Sequence, residues 1–201
     1  MRCATTERDQ RSRWSCRQKN GNGKLNWSLN MLIILGGLPG AGKTTIAREL
    51  GRKIGATHVR IDTIEQAILD SGLLRQPINE AGYRVGYAVA EDNLRVGRTV
   101  IADSVNPLLV TRDAWQAVAS RVQVSVMEIE IICSDTTEHR QRVERRVSDI
   151  VGLRPPTWHE VVSRNYESWN RDRLVIDTAG QSIDDSVSKV ERAMLKITPK
   201  P

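Results

Sequence analysis

Residues 31–45 read MLIILGGLPGAGKTT, and the whole chain is organised around them. Met31 to Leu35 are uninterruptedly apolar and run into Gly36-Gly37, the form of a short buried strand. From Gly37 onward, Gly37, Leu38, Pro39, Gly40, Ala41, Gly42, Lys43 and Thr44 satisfy G-x-x-x-x-G-K-[ST] in full. A polyphosphate needs several backbone N–H groups converging on it, and glycines allow the chain to bend that tightly. Lys43 then offers a mobile cation to the outer phosphates, and the helix opening near Thr44 and Thr45 points its positive end at them. The Thr44 hydroxyl is placed to bind Mg2+. The stretch is predicted to bind a nucleotide, with ATP and Mg2+ as the expected ligands.

Working outward, strand and helix patterns alternate. A helix is predicted from Thr44 to about Lys53, stopped by Gly55, and then a strand from Thr57 ending in the carboxylate of Asp62. Arg60 and Asp62 are two apart, which on a strand puts both heads on one side. A short helix from Ile64 to Leu69 and a loop from Ser71 to Asn79 lead to a longer helix carrying Tyr83, Tyr87, Ala90 and Leu94, stopped by Gly97. Thr99 to Asp103 is a third strand in the apolar-run-then-Asp form of a Walker B element, followed by a turn at 104–107 and a helix from Thr111 to Ala119. Further strands are predicted at Val122 to Cys133 and Leu174 to Asp177. A basic helix spans Asp135 to Val147, Thr157 to Glu160 carries a capping-box pattern, and Ser182 caps a last helix to about Ile197. Such alternation means five parallel strands with helices on both faces, with ligands at the carboxyl ends of the strands. Gly37, Asp62 and Asp103 all fall at such ends.

Asp62 has two readings: as a cap, it heads the D-x-x-E pattern Asp62 to Glu65; as a catalyst, it accepts the proton of an acceptor hydroxyl in phosphoryl transfer. Asp103 is the expected Mg2+ partner beside Thr44, since an isolated carboxylate is costly to bury without a cation. Arg142 and Arg146, four apart, are expected to project to one side as a lid over about 135–170 that shields the transferring charge, or else to pair with Glu138 and Glu144 on a solvated face. Tyr83 and Tyr87 read as core stripe residues or as lining for an acceptor pocket, to which Arg60 and Asn106 are also assigned. Asp177 to Gln181 reads DTAGQ, a sequence familiar from GTPase switches. No N-K-x-D guanine signature follows it, so it is taken as a strand and turn.

The chain has 201 residues, enough for one α/β domain, and a formal net charge of +6. Residues 1–30 hold seven Lys/Arg against Glu7 and Asp9, so the charge is concentrated there and the remainder is about neutral. That segment has no apolar core of a secretory signal and no periodicity, and reads as a disordered basic tail, with Met31 as the expected true start. No apolar run is long enough to span a membrane. Three cysteines without metal spacing point to a reducing, cytoplasmic setting, and His58, His139 and His159 suggest no zinc site.

Together, GGLPGAGKTT, the RID at 60–62, VIADSVN with Arg112 behind it, and EHRQRVERR resemble the small P-loop kinases grouped with AAA-family ATPases. That group includes chloramphenicol phosphotransferase, zeta toxins and the kinase domain of polynucleotide kinase. The resemblance covers about Met31 to Thr178 and implies a P-loop NTPase three-layer sandwich with a small helical lid. It puts Asp62 in the place of the acceptor-activating base, Asp103 in the Walker B place, and Arg142 with Arg146 in the lid. The chain departs from the pattern after Asp62, where Thr63, Ile64 and Glu65 stand instead of a second Asp or an Arg. The expected function is transfer of the γ-phosphate of Mg·ATP to a hydroxyl of a small-molecule acceptor by a monomer or homodimer. A nucleotide-dependent binding switch, in which Asp62 is only a cap, is the alternative. A polynucleotide 5′-hydroxyl kinase steered by the basic tail is a further one, although nucleic acid is not the favoured partner.

Overall fold

The computed structural model describes residues 30–72 and 80–197. The basic tail and most of the loop expected at 71–79 lie outside the described residues. The elements run β1 (Met31–Gly36), α1 (Lys43–Ile54), β2 (Thr57–Arg60), α2 (Ile61–Asp70), α3 (Ala81–Arg95), β3 (Val100–Asp103), α4 (Leu109–Val122), β4 (Ser125–Ile132), α5 (Thr136–Glu144), α6 (Trp158–Val162), β5 (Leu174–Asp177) and α7 (Ile183–Met194). The five strands form one parallel sheet in the order β2-β3-β1-β4-β5. The apolar run at 31–35 therefore occupies the centre of the sheet, where both faces are covered.

Alternation along β1 divides the core. Met31, Ile33 and Leu35 pack with Ile46 and Leu50 of α1 and with Val187, Val190 and Met194 of α7. Leu32 and Ile34 face the opposite way, onto Ala90 and Leu94 of α3 and Trp115 and Val118 of α4. Both layers bring strand carboxyl ends to one edge, and the phosphate-loop residues emerge there. Among the described residues, no helix is long and apolar enough to cross a membrane.

Three details differ from the sequence expectation. β2 ends at Arg60, so Asp62 lies in the first turn of α2 rather than at a strand end. The N-cap is Arg60 and α2 has no side-chain cap, so Asp62 does not form the expected D-x-x-E cap. α5 stops at Glu144, which leaves Arg146 beyond the helix and not stacked one turn above Arg142. The capping box at Thr157 and the Ser182 cap of α7 are formed as the sequence suggests.

Candidate active site

The phosphate loop is held from three directions. Gly37 has φ 133°, and a Cβ there would overlap the Ile131 carbonyl of β4, so the loop leaves the sheet where a side chain has no room. Gly40, at φ 83°, lies against α5: a Cβ would sit 2.5 Å from Val143, and the His139 ring nitrogen meets the Pro39 carbonyl at 2.8 Å. From β5, the Thr178 hydroxyl donates to the Ala41 carbonyl at 2.9 Å. The DTAGQ stretch is thus a strand and turn, as expected, and its Thr178 also braces the loop.

Two clefts meet at Lys43, Thr44 and Arg146. One, of about 450 Å3, runs over the phosphate loop between Arg60, Arg142, Asp149, Thr178 and Gln181. The other, of about 750 Å3, opens towards Asp62, Glu65, Tyr83, Tyr87 and Arg164. The first has the glycine lining of a phosphate site, and the second has aromatic and charged walls suited to a small molecule.

Lys43 is buried and donates to the Leu38 carbonyl at 2.9 Å. Burial lowers its pKa to about 8, even though Asp103 and Asp62 favour its charge. Asp103, 2% exposed, closes the floor of the site. Burial alone would raise its pKa. The hydrogen bond from His58 at 3.0 Å, the charge of Lys43 and the neighbouring Thr44 hydroxyl outweigh that and hold it below the ordinary carboxylate value. A hydroxyl and an ionised carboxylate side by side are hard oxygen donors, and the residues present therefore fit Mg2+ carried in with a polyphosphate. Among the described residues, no cluster of three or more His, Cys, Asp or Glu is arranged to hold a metal by itself. His58, the partner of Asp103, carried no sequence signal because the two residues meet only through the pairing of β2 with β3.

The lid arginines separate in role. Arg146 approaches Asp62 to 4.0 Å and lines both clefts. Arg142 instead pairs with Glu138 at 2.5 Å and donates to the Thr178 hydroxyl and carbonyl, so it is tied to the wall of the nucleotide cleft. Glu144 pairs with Arg140. Arg60, assigned from sequence to the acceptor, lines the nucleotide cleft and is clamped to Asp149 at 2.9 Å. Tyr83 and Tyr87 line the larger cleft while packing against the α3/α4 core.

Asn106 is a correction. It is fully buried, with φ 47°, donates to the Leu35 carbonyl at 2.6 Å, and accepts from the Trp115 indole and from Arg112. With its polar groups so engaged and no exposed surface, it holds the turn after β3 together and does not line the acceptor cleft. Two further residues at the larger cleft escaped the sequence reading. Glu65 has its pKa raised to about 7, first by burial and then by the charge of Asp62. Arg164 lines the same wall.

This geometry defines a nucleotide-binding protein with a P-loop kinase-like fold. A family model described as an AAA domain (AAA_33) matches residues 32–152, and the chain belongs to that family. No curated protein matches it. Among solved structures, it is similar to the Mycobacterium tuberculosis APS kinase CysC in complex with AMPPNP and APS, at 16% identity and a TM-score of 0.62, over 83% of this chain and 98% of that one. It is also similar to Chaetomium thermophilum Kti12 in complex with ADP-AlF3 (21% identity, TM-score 0.59, 81% and 98%). A gluconokinase from Sinorhizobium meliloti 1021 is a third (14% identity, TM-score 0.59, 84% and 93%). At these identities the likeness is one of fold.

Proposed function

We propose that this protein is a cytoplasmic kinase that transfers the γ-phosphate of Mg·ATP to a hydroxyl of a small-molecule acceptor. The observation that carries the reading is the position of Asp62. It caps no helix, lines the larger cleft, and stands where that cleft joins the phosphate-loop cleft at Lys43 and Arg146. The binding-switch alternative reads Asp62 as a cap only, and α2 has no side-chain cap.

In the proposed reaction the acceptor O–H gives its proton to the Asp62 carboxylate as the new O–P bond forms. The bond from the γ-phosphorus to the β,γ-bridging oxygen breaks, and ADP leaves with that electron pair. Lys43 and the loop N–H groups hold the phosphates, and Arg146 balances the charge spread over the moving group. Thr44 and Asp103 would hold Mg2+, which would supply further neutralisation of the phosphate charge. The neighbours that carry AMPPNP or ADP-AlF3 support nucleotide binding by the same fold.

The test is ADP release from Mg·ATP with and without a pooled metabolite and antibiotic extract, comparing the wild type with Asp62→Asn and Lys43→Ala. Stimulation by the pool is expected in the wild type. Asp62→Asn should keep ATP affinity and lose about 10^2-fold or more in turnover, whereas Lys43→Ala should lose nucleotide affinity as well. Equal turnover in wild type and Asp62→Asn would remove the kinase reading.

A further inference from the structure

The larger cleft carries polar groups beyond the one that the phosphotransfer step needs. Glu65 lies three residues after Asp62 on α2, so both side chains project from the same face of the helix, about 5–6 Å apart at Cβ. Its stem is pinned: α3 approaches so closely at Gly82 that a Cβ there would overlap the Glu65 Cγ. The head is therefore fixed at the cleft, and no described residue hydrogen-bonds or ion-pairs with it. A second polar group lines the same cleft. Ser104, directly after Asp103, is 4% exposed and lines the cleft, yet its hydroxyl has no hydrogen-bond partner. The Tyr83 phenol lies near enough to be influenced by Ser104 without giving it a bond of full geometry. Buried hydroxyls are normally satisfied, and one aimed into a cavity without a partner is complete only when something occupies that cavity.

The charges on these walls discriminate further. Asp62 already has Arg60 at 3.8 Å and Arg146 at 4.0 Å, and Arg164 offsets part of the charge on Glu65. Little uncompensated negative charge remains to select a cation by attraction alone. What the cleft does offer is hydrogen-bond acceptors, set close together, over a wall formed by the rings of Tyr83 and Tyr87.

Building on the kinase reading above, we propose that the acceptor carries two hydrogen-bond donors on adjacent atoms, a 1,2-diol or a 1,2-amino alcohol. Asp62 takes the proton of the attacking hydroxyl, while Glu65 and Ser104 hold the neighbouring donor. Glu65 is thus a specificity-determining residue. A molecule with a single hydroxyl would leave a buried oxygen unpaired, at a loss of roughly tenfold or more in affinity.

The probe is a library of 1,2-diols and 1,2-amino alcohols, each beside its monodeoxy and O-methyl counterparts, presented to the full chain loaded with Mg·AMPPNP. Binding is read by ligand-observed saturation-transfer NMR. Hits are expected among the two-donor members and to weaken about tenfold or more in the monodeoxy ones. Glu65→Ala and Ser104→Ala should abolish that preference while leaving AMPPNP affinity unchanged. A shared preference for diols and amino alcohols fits the hydrogen-bonding account, and hits confined to the amines would overturn it in favour of charge selection. Single-hydroxyl ligands binding equally well, a preference that survives Glu65→Ala, or no hit at all would each also overturn it. Hits that bind with the expected preference but are never phosphorylated from Mg·ATP would instead sink the kinase reading and leave the site assignment standing.

Discussion

In the proposed function Lys43 is the residue on which nucleotide binding turns, and its own surroundings work against its charge. Burial brings its pKa down to about 8, so near pH 7 most of the protein carries Lys43 protonated, and above pH 8 most carries it neutral. A bound polyphosphate adds negative charge at hydrogen-bond range and raises that pKa again. The sign follows from linkage. Below pH 8 the lysine is charged with or without nucleotide, and binding moves few protons through this group. Above pH 8 binding must take up a proton, and affinity falls as pH rises, approaching tenfold per pH unit for one group. Calorimetry of AMPPNP binding in buffers of different ionisation enthalpy should show proton uptake growing between pH 8 and pH 9, and none of that growth in Lys43→Met. A pH-independent affinity across that range would mean the charge on Lys43 is not coupled to the phosphates. The place of Lys43 at the start of α1 was legible in the sequence, because local spacing alone sets it. Asn106 and Glu65 were not. Asn106 is defined by partners at Leu35 and Trp115, and Glu65 by the approach of α3 at Gly82, none of which a local pattern encodes.

At the level of elements, arginines set the geometry. Arg112 of α4 is fully buried and donates to the carbonyls of Asn106, Pro107, Glu167 and Ser168, with Trp169 stacked 4.2 Å from its guanidinium carbon. It fastens the 166–169 stretch beneath the carboxyl ends of β1 and β3, so that end of the segment expected as a lid is packed into the body. Only a planar fork reaches four carbonyls and also stacks, so Arg112→Lys should behave almost like Arg112→Ala. Either should lose about 3 kcal/mol or more in denaturant unfolding, through unpaired carbonyls and lost packing; a loss under about 1 kcal/mol for the lysine variant would refute the fork argument. Asp149, in the connection between α5 and α6, ties two other arginines, Arg48 of α1 and Arg60 at the start of α2. The bond to Arg48 above all, and that to Arg60, hold its carboxyl far below the usual range. The two pairs differ in burial, which decides their worth. Arg48 is well exposed, and Arg48→Ala should change stability by less than about 1 kcal/mol. Arg60 is buried, and Asp149→Ala leaves it only the longer contact to Asp62, so a loss of about 2 kcal/mol is expected by the same denaturant measurement. Equal effects would mean that burial of Arg60 is not what gives the clamp its value. β2 ends at this clamp. Arg60 is drawn to a partner 89 positions away, and the chain turns into α2 there, moving Asp62 off the strand.

Over the whole molecule, the alternation of strands and helices was readable because parallel strands buried on both faces are continuous apolar runs, and the central place of 31–36 follows from that. The two clefts were not readable as separate spaces. They meet at Lys43, Thr44 and Arg146, and Arg146 approaches Asp62, far from it in sequence, to 4.0 Å there. Their junction implies that nucleotide binding is felt by the entire fold, since the loop is braced at once by β4, by α5 and by β5. A ligand that binds only the folded state stabilises it by about 2.7 kcal/mol at a hundred times its dissociation constant. Mg·AMPPNP at that excess should therefore raise the melting temperature of the full chain by several degrees as a single transition, and should do nothing for Lys43→Ala. A chain starting at Asn30, whose amide donates to the Leu94 carbonyl at the end of α3, should show the same ligand-induced shift. Because residues 1–30 hold most of the net positive charge, that shift should also be no more salt-sensitive with the segment than without it if the segment takes no part in nucleotide binding. A shift that collapses on removing residues 1–29, or at raised salt only when they are present, would return weight to a charged polymer as the partner of this fold.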